Sequence, residues 1–405
     1  MTEREGQLGL ALFDDEFIQD PYPLYARMLD GGQVHPIGNS GFYAVCGWGA
    51  VEDVIARPGD FSSNLTATMT YQDGKVGAFP MAELGADMQA LATADDPAHA
   101  GHRKMLVPHL SARKIKALES FVRETAERIW NDSMQRDTIE WMSAMANRLP
   151  VMIVTRLIGV PDVDAEQLLT WGYASTQLVE GLVGQEQLRD AGIAVMELSG
   201  YIMEHFRWAT ADPKDDLLST LATACASGEL AEAAAMTMMI TLFSAGGEST
   251  ASLIGSAAHI LATRRDIQAQ LRENPDLLGA FLEEVLRYEP PFRGHYRHVV
   301  NDTTLAGVEL AGGSRLVLLW GAANRDPSHF DDPDTFRLDR AEAKNHIAFG
   351  KGAHFCIGAA LARLEAKIVI GELLERTSHI EASDTGRWLP SLLVRRLERL
   401  ELSVA

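Results

Sequence analysis

Sixteen residues near the C-terminus, Phe349 to Leu364, restrict this chain more than any other stretch. They read Phe-Gly-Lys-Gly-Ala-His-Phe-Cys-Ile-Gly-Ala-Ala-Leu-Ala-Arg-Leu. Gly350 and Gly352 let the backbone turn tightly and approach a flat ligand closely. From Gly358 onward the apolar spacing turns helical, with Leu361, Leu364 and Ile368 on one face. Cys356 therefore stands at a helix start, where unpaired N–H groups and the positive dipole end favour a thiolate. Taken alone, a free cysteine is most often a small core residue. A zinc site needs Cys and His clustered at short spacing, whereas Cys46, Cys225 and Cys356 are scattered. A nucleophile needs a base, and His354 is a weak one by position. A lone thiolate in an apolar loop, between Phe349 and Phe355, also suits an axial ligand of haem iron.

A second constraint is Ala231–Thr263, which contains no Lys or Arg. A membrane span has to be weighed, but Gly246, Gly247, Glu248, Ser249, Thr250 and Ser252 interrupt it, and a buried core helix is expected. Adjacent glycines inside a helix cost about 2 kcal/mol relative to alanine. That cost points to close approach of a ligand or a kink, or to a helix–helix contact through small residues. Helical patterns also cover 117–135, 145–158, 163–180, 190–208, 214–226, 266–272, 276–288 and 358–376, and Trp48 to Ala56. Strands are expected at 42–45, 296–300, 304–305 and 315–319, with Gly312-Gly313 as a hairpin turn. Residues 1–35 read as a polar lead-in and 61–92 as an irregular, ligand-facing loop. No repeat or Pro/Gly/Ser-rich linker divides the chain. One mainly α domain with small β-sheets, spanning 1–405, is expected.

Bulk properties narrow the function. A net charge of −20 argues against nucleic acid as a partner. Three cysteines in 405 residues imply no disulfide framework and a reducing compartment. The N-terminus has no basic segment followed by an apolar run, so neither signal peptide nor membrane anchor is expected. A soluble, cytoplasmic protein is the expectation, with a monomer as the default.

The loop string resembles the haem-binding loop of the cytochrome P450 family, Phe-Gly-x-Gly-x-His-x-Cys-x-Gly-x-x-Leu-Ala-Arg, at every fixed position. The resemblance extends along nearly the whole chain, through Ile158-Gly159-Val160-Pro161 and Asn324-Arg325-Asp326-Pro327. Stretches such as 139–150 and 290–298 are similar to a mycobacterial subgroup. It implies the P450 fold, with a long central helix over the haem, and haem b (iron protoporphyrin IX) held through Cys356, Phe349 and Gly358. On the long helix, Ala245-Gly246-Gly247-Glu248-Ser249 resembles the family's Ala-Gly-x-(Asp/Glu)-Thr. The acid and alcohol there relay protons to bound oxygen. Ser249 replaces the usual threonine and lacks the methyl group that stiffens the rotamer. Thr250 lies about 100° further round the helix. His99, Arg103, Arg297 and His354 resemble the family's propionate ligands, with Arg293 an alternative to Arg297. Glu284-x-x-Arg287 resembles the buried brace behind the haem. Its usual third arginine is absent at Thr335, which leaves Arg337 or Arg340.

The resemblance implies a monooxygenase that takes O2 and electrons from a ferredoxin and ferredoxin reductase. It would insert one oxygen atom into a hydrophobic small molecule, by hydroxylation or epoxidation. Substrate walls are expected from 63–92, 171–190, Phe243, 292–296 and 392–394. A basic face is expected from Arg113, Lys114, Lys116 and Lys351. A peroxide-driven peroxygenase, or a non-catalytic haem protein that binds a ligand, are the alternatives. The intact acid–alcohol pair argues against both.

Overall fold

The computed structural model describes residues 8–84, 88–134, 137–161, 165–177 and 185–405. Its main helices, in chain order, are α1 (Tyr22–Gly31), α2 (Trp48–Ala56), α3 (Ala98–Leu106), α4 (Ala112–Ser133), α5 (Arg148–Ile158) and α6 (Ala165–Thr176). They continue as α7 (Gln185–Ala211), α8 (Leu217–Ala226), α9 (Glu232–Thr263), α10 (Arg265–Glu273), α11 (Leu278–Tyr288) and α12 (Ala359–Arg376). The 32-residue α9 is about 48 Å long at 1.5 Å per residue. It is apolar nearly all round, so it must be covered on every side. Helices α5, α6, α7 and α12 do this. No helix among the described residues is long and apolar enough to cross a membrane.

The glycine pair in α9 serves packing. A Cβ on Gly246 would stand 2.9 Å from Val154 Cγ2, and one on Gly247 would stand 2.9 Å from Val151 Cγ2. Both valines are on α5, so the small residues let the two helices approach. The helix runs on unbroken through them.

Strands β1 (Val34–Pro36), β2 (Phe42–Val45), β3 (Phe61–Ser62), β7 (Gly294–Val299) and β10 (Arg315–Leu319) form one sheet in the order β1-β2-β10-β7-β3. Strand β10 runs parallel to β2 and antiparallel to β7, with Leu318 opposite His295. Strands β6 (Thr138–Glu140), β11 (Ile380–Thr385) and β12 (Leu400–Val404) form a second sheet. Two hairpins, β4 (Ala67–Gln72) with β5 (Lys75–Pro80) and β8 (Thr303–Leu305) with β9 (Val308–Leu310), complete the β structure.

Three expectations need correction. The stretch 61–92 is largely regular. Its hairpin turns at Asp73-Gly74, both at positive φ, as a two-residue type I′ turn requires. The tight turn of the second hairpin is Ala306-Gly307, also both at positive φ. Gly312-Gly313 instead carries the chain from β9 to β10. The first 35 residues are more than a lead-in, because Leu12, Phe13, Phe17 and Ile18 are buried in a core with Tyr25, Met28 and Phe42. Parts of the expected helix at 163–180 and of the stretch 171–190 lie outside the described residues.

A buried ion network braces α11 against the segment that precedes the cysteine loop. Arg287 donates to Glu284 from Nε at 2.8 Å and from Nη2 at 2.7 Å. The third arginine is Arg340. Its Nε donates to Glu284 Oε1 at 3.1 Å, and its remaining donors reach the carbonyls of Asp331, Asp332 and Thr335. Arg337 contributes its backbone N–H to the same carboxylate.

Candidate active site

The cysteine loop is shaped by two left-handed glycines, Gly350 and Gly352, at φ 67° and 68°. The Cys356 N–H donates to the Phe349 carbonyl at 2.9 Å and closes the loop. Arg363, one turn into α12, stacks 4.5 Å over the Phe349 ring and forms a two-pronged pair with Glu283, at 2.6 and 2.9 Å. The loop is thus clamped to α11. Cys356 opens onto a cavity and is otherwise surrounded by protein. Burial pushes its thiol pKa up, against the pull of the Gly358 and Ala359 N–H groups and of Arg103 and Arg363. A cation bound at the sulfur would favour the thiolate.

The cavity holds about 1530 Å³ of free space, counting its mouth. Cys356, Phe349, Gly350, His354 and Gly358 line it from the loop; Ala245, Gly246, Ser249 and Thr250 line it from α9. The Ser249 hydroxyl donates to the Ala245 carbonyl at 2.6 Å. Glu248 does not line the cavity. It is buried, and its Oε1 accepts from Arg396 Nε and Nη2 at 3.3 and 3.2 Å. Arg396 in turn holds Asn147 Oδ1 and lies 4.5 Å over the Tyr173 ring. Burial raises the Glu248 pKa despite that arginine.

His99, Arg103, Arg297 and His354 gather at the cavity wall. His99 and His354 stack at 3.9 Å. Burial, with His99 and Arg297 close by, pulls His354 down to about 4. Burial likewise lowers Arg297 to about 10. Arg103 donates to the Phe355 carbonyl and Arg297 to the Tyr296 carbonyl. Among the described residues neither guanidinium pairs with a carboxylate, and the buried His354 Nδ1 has no partner. Arg293 is excluded from this group, since it is buried elsewhere with Nη2 on the Ile18 carbonyl.

A family model described as Cytochrome P450 matches residues 186–393. Cytochrome P450 144 of Mycobacterium tuberculosis is 65% identical over 393 residues, which cover 97% of this chain and 91% of that one. The chain is a cytochrome P450. The biotin biosynthesis cytochrome P450 of Bacillus subtilis is 30% identical over 96% of this chain and 97% of its own length. Among solved structures, a P450 in complex with an acyl carrier protein ligated to hexadec-9Z-enoic acid superposes with a TM-score of 0.87. It is 28% identical, and the match covers 96% of this chain and 99% of that one. A Bacillus megaterium P450 in complex with testosterone superposes with a TM-score of 0.84, at 28% identity over 96% and 99% of the two chains. P450s are haem monooxygenases that consume O2 and receive electrons from redox partners.

The donor set fits such a cofactor. A P450 haem needs one thiolate and groups for two propionates. The cavity presents one cysteine, two guanidiniums free of carboxylates among the described residues and three imidazoles, His99, His295 and His354, the last with an orphaned buried nitrogen. Of the expected substrate wall, Phe292 and His295 line the cavity. Phe243 is core, and residues 392–394 do not line the cavity. Among the described residues of 63–92, Leu91 and Ala92 reach it. Leu110, Val154, Leu157 and Ile158 line it unforeseen, because their helical apolar spacing is the same as that of any core residue. In the expected basic face, Lys114 pairs with Asp215 at 2.8 Å and Lys351 pairs with Glu52.

Proposed function

We propose that residues 1–405 form a single-domain, ferredoxin-dependent haem-thiolate monooxygenase. It holds haem b and oxidises a hydrophobic small molecule by hydroxylation or epoxidation, as a monomer in the cytoplasm. The observation that carries this reading is one apolar cavity lined by Cys356 at one wall and by Ser249 and Thr250 of α9 at another. Haem supplies dioxygen activation when bound, and a thiolate ligand favours O–O cleavage. The chain's own residues do the rest. Cys356 provides the sulfur, and the loop hydrogen bond from its N–H to the Phe349 carbonyl fixes its place. Arg103, Arg297, His99 and His354 anchor the two propionates through charge and N–H donation. Leu91, Val154, Leu157, Ile158, Leu242, Leu253 and Phe292 hold an apolar substrate and exclude water. The Ser249 oxygen, oriented by its bond to Ala245, and the Thr250 hydroxyl accept and pass protons at the cavity face. In this reading the electrons arrive from a ferredoxin that docks as a separate protein. Arg113 and Lys116, with Lys114 and Lys351 released from their acidic partners, are the contact surface assigned to it.

The test is Cys356→Ser. The reduced wild-type protein should give the strongly red-shifted carbon monoxide band, and the variant should lose it. Survival of the band in Cys356→Ser would remove the ligand assignment. Turnover faster with peroxide alone than with ferredoxin and its reductase would replace the ferredoxin reading with a peroxygenase.

A further inference from the structure

His295 lines the cavity beside Arg297 and His354, and its hydrogen is fixed by the fold. Side chains two apart on a strand share a face, so His295 and Arg297 of β7 both reach the cavity. The pairing of β10 with β7 sets Leu319 opposite Gly294, which brings Trp320, the next residue, to His295. Trp320 is buried and donates from Nε1 to His295 Nδ1 at 2.6 Å. An indole N–H is a donor only, so Nδ1 must carry the lone pair, and the imidazole hydrogen must sit on Nε2. Phe292 packs against the ring edge-on at 4.9 Å and helps to hold its plane. Burial, with Arg297 and His354 nearby, lowers the pKa to about 3, so the ring is neutral at any physiological pH. Among the described residues no acceptor meets Nε2–H. Of the cavity hydroxyls, Ser249 donates to Ala245 and Thr241 to Thr237, while the Thr250 hydroxyl, on α9, has no partner among the described residues.

We propose that His295 is a specificity-determining residue whose Nε2–H selects lipophilic substrates carrying a neutral oxygen acceptor, such as a ketone or ester carbonyl. This deepens the proposed function and rests on the cavity being the oxidation chamber. A neutral directional donor in an apolar wall rewards an acceptor. A carboxylate would enter with its charge uncompensated, since the guanidiniums of the wall are assigned to propionates, and burying an unpaired charge is costly. A hydrocarbon of the same shape would leave the N–H without a partner.

The experiment is an optical spin-state titration of the full-length haem-loaded protein with paired probes: 1-tetralone against tetralin, and 5α-androstan-17-one against 5α-androstane. One neutral buried hydrogen bond corresponds to about tenfold in Kd. The wild type should prefer at least one ketone by about that factor. His295→Phe should bring the ratio near unity, with the ketone weakened and the hydrocarbon bound no more weakly than in wild type. His295→Gln, whose amide keeps an N–H at similar reach, should restore part of it. The rate of haem transfer to apomyoglobin should be the same in wild type and His295→Phe. Equal ratios in wild type and His295→Phe, or no ketone preference in any pair, would overturn the proposal. Faster haem loss from His295→Phe would also overturn it, because the donor would then belong to a propionate. Failure of the underlying reading looks different: the wild-type carbon monoxide band is then absent and no probe of either kind shifts the spectrum.

Discussion

Replacing Arg340 with alanine tests the brace where the chain departs most from its family's pattern. Arg340 and Glu284 are almost wholly buried, at 1% and 0% side-chain exposure. The substitution removes one charged hydrogen bond to Glu284 and the donors to three loop carbonyls, those of Asp331, Asp332 and Thr335. Glu284 keeps Arg287 and the Arg337 N–H, so its charge is not orphaned. The cost should therefore fall at the low end of the roughly 3–5 kcal/mol seen when a buried pair is broken outright. We take about 3 kcal/mol, a change of about 150-fold in the folded-to-unfolded ratio. With about 2.1 cal/mol/K of unfolding entropy per residue, that lowers the Tm of a domain this size by about 3–4 °C. Arg337→Ala is the matched control. Its side chain is partly exposed, with Asp339 at 3.8 Å, and its contribution to the brace is a backbone N–H that alanine retains. Its loss should stay below about 0.5 kcal/mol. Scanning calorimetry and urea unfolding of the haem-loaded variants would measure both. Equal shifts for the two variants, or a larger one for Arg337→Ala, would refute the assignment of Arg340 as the third arm.

Two further perturbations probe α9 and α12. Gly247→Ala gains up to about 1 kcal/mol of helix propensity but sets a methyl 2.9 Å from Val151 Cγ2, and overpacking costs about 1–3 kcal/mol. The variant should lose about 1 kcal/mol in the wild-type background and gain stability in a Val151→Ala background. A gain in both, read by thermal unfolding, would show that the glycine does not serve the α5 contact. Glu365 lines the cavity, and burial raises its pKa well above the carboxylate range. Its carboxyl is protonated when folded and ionised when unfolded above pH about 4.5, so the native state binds the extra proton and stability falls as pH rises from there toward the folded pKa. Glu365→Gln should thus stabilise the protein at pH 8 relative to wild type and change little at pH 4. An identical effect at both values, in urea melts, would mean the folded carboxyl is ionised.

What the sequence revealed follows from which constraints are local. Helix α2 and strands β2 and β10 fall where apolar periodicity sets them, residue for residue. The cysteine loop was legible because each fixed residue answers a local demand: glycine for positive φ at 350 and 352, cysteine for the sulfur, apolar spacing for α12. The hairpin at 67–80 was missed although Asp73-Gly74 announces it, because its strands carry Thr, Gly and Pro in place of a clean alternation. Pairings across the fold left no local trace. Trp320 and His295 meet only through the β10–β7 register, Arg363 meets Glu283 across 80 residues, and Arg337 and Arg340 are indistinguishable until the backbone shows which side chain turns inward.

The same limit bears on the acid–alcohol pair of α9. Neighbours on a helix point about 100° apart, so a sequence that sets Glu248 beside Ser249 does not set both on one face. Ser249 and Thr250 face the cavity, while Glu248 faces the protein interior and is held by Arg396, itself fixed by Asn147 and Tyr173. Breaking such a pair by removing one partner costs about 3–5 kcal/mol. A carboxylate swinging alone into an apolar cavity would leave Arg396 just as bare. Glu248 is therefore held by Arg396 behind α9, away from the cavity. Direct contact with the cavity falls to the two hydroxyls. Of these, Ser249 has its hydrogen on its own helix and offers an acceptor oxygen, while Thr250 makes no hydrogen bond among the described residues. Under the proposed function, the division of labour between accepting and donating a proton would be set by which hydroxyl the helix backbone claims.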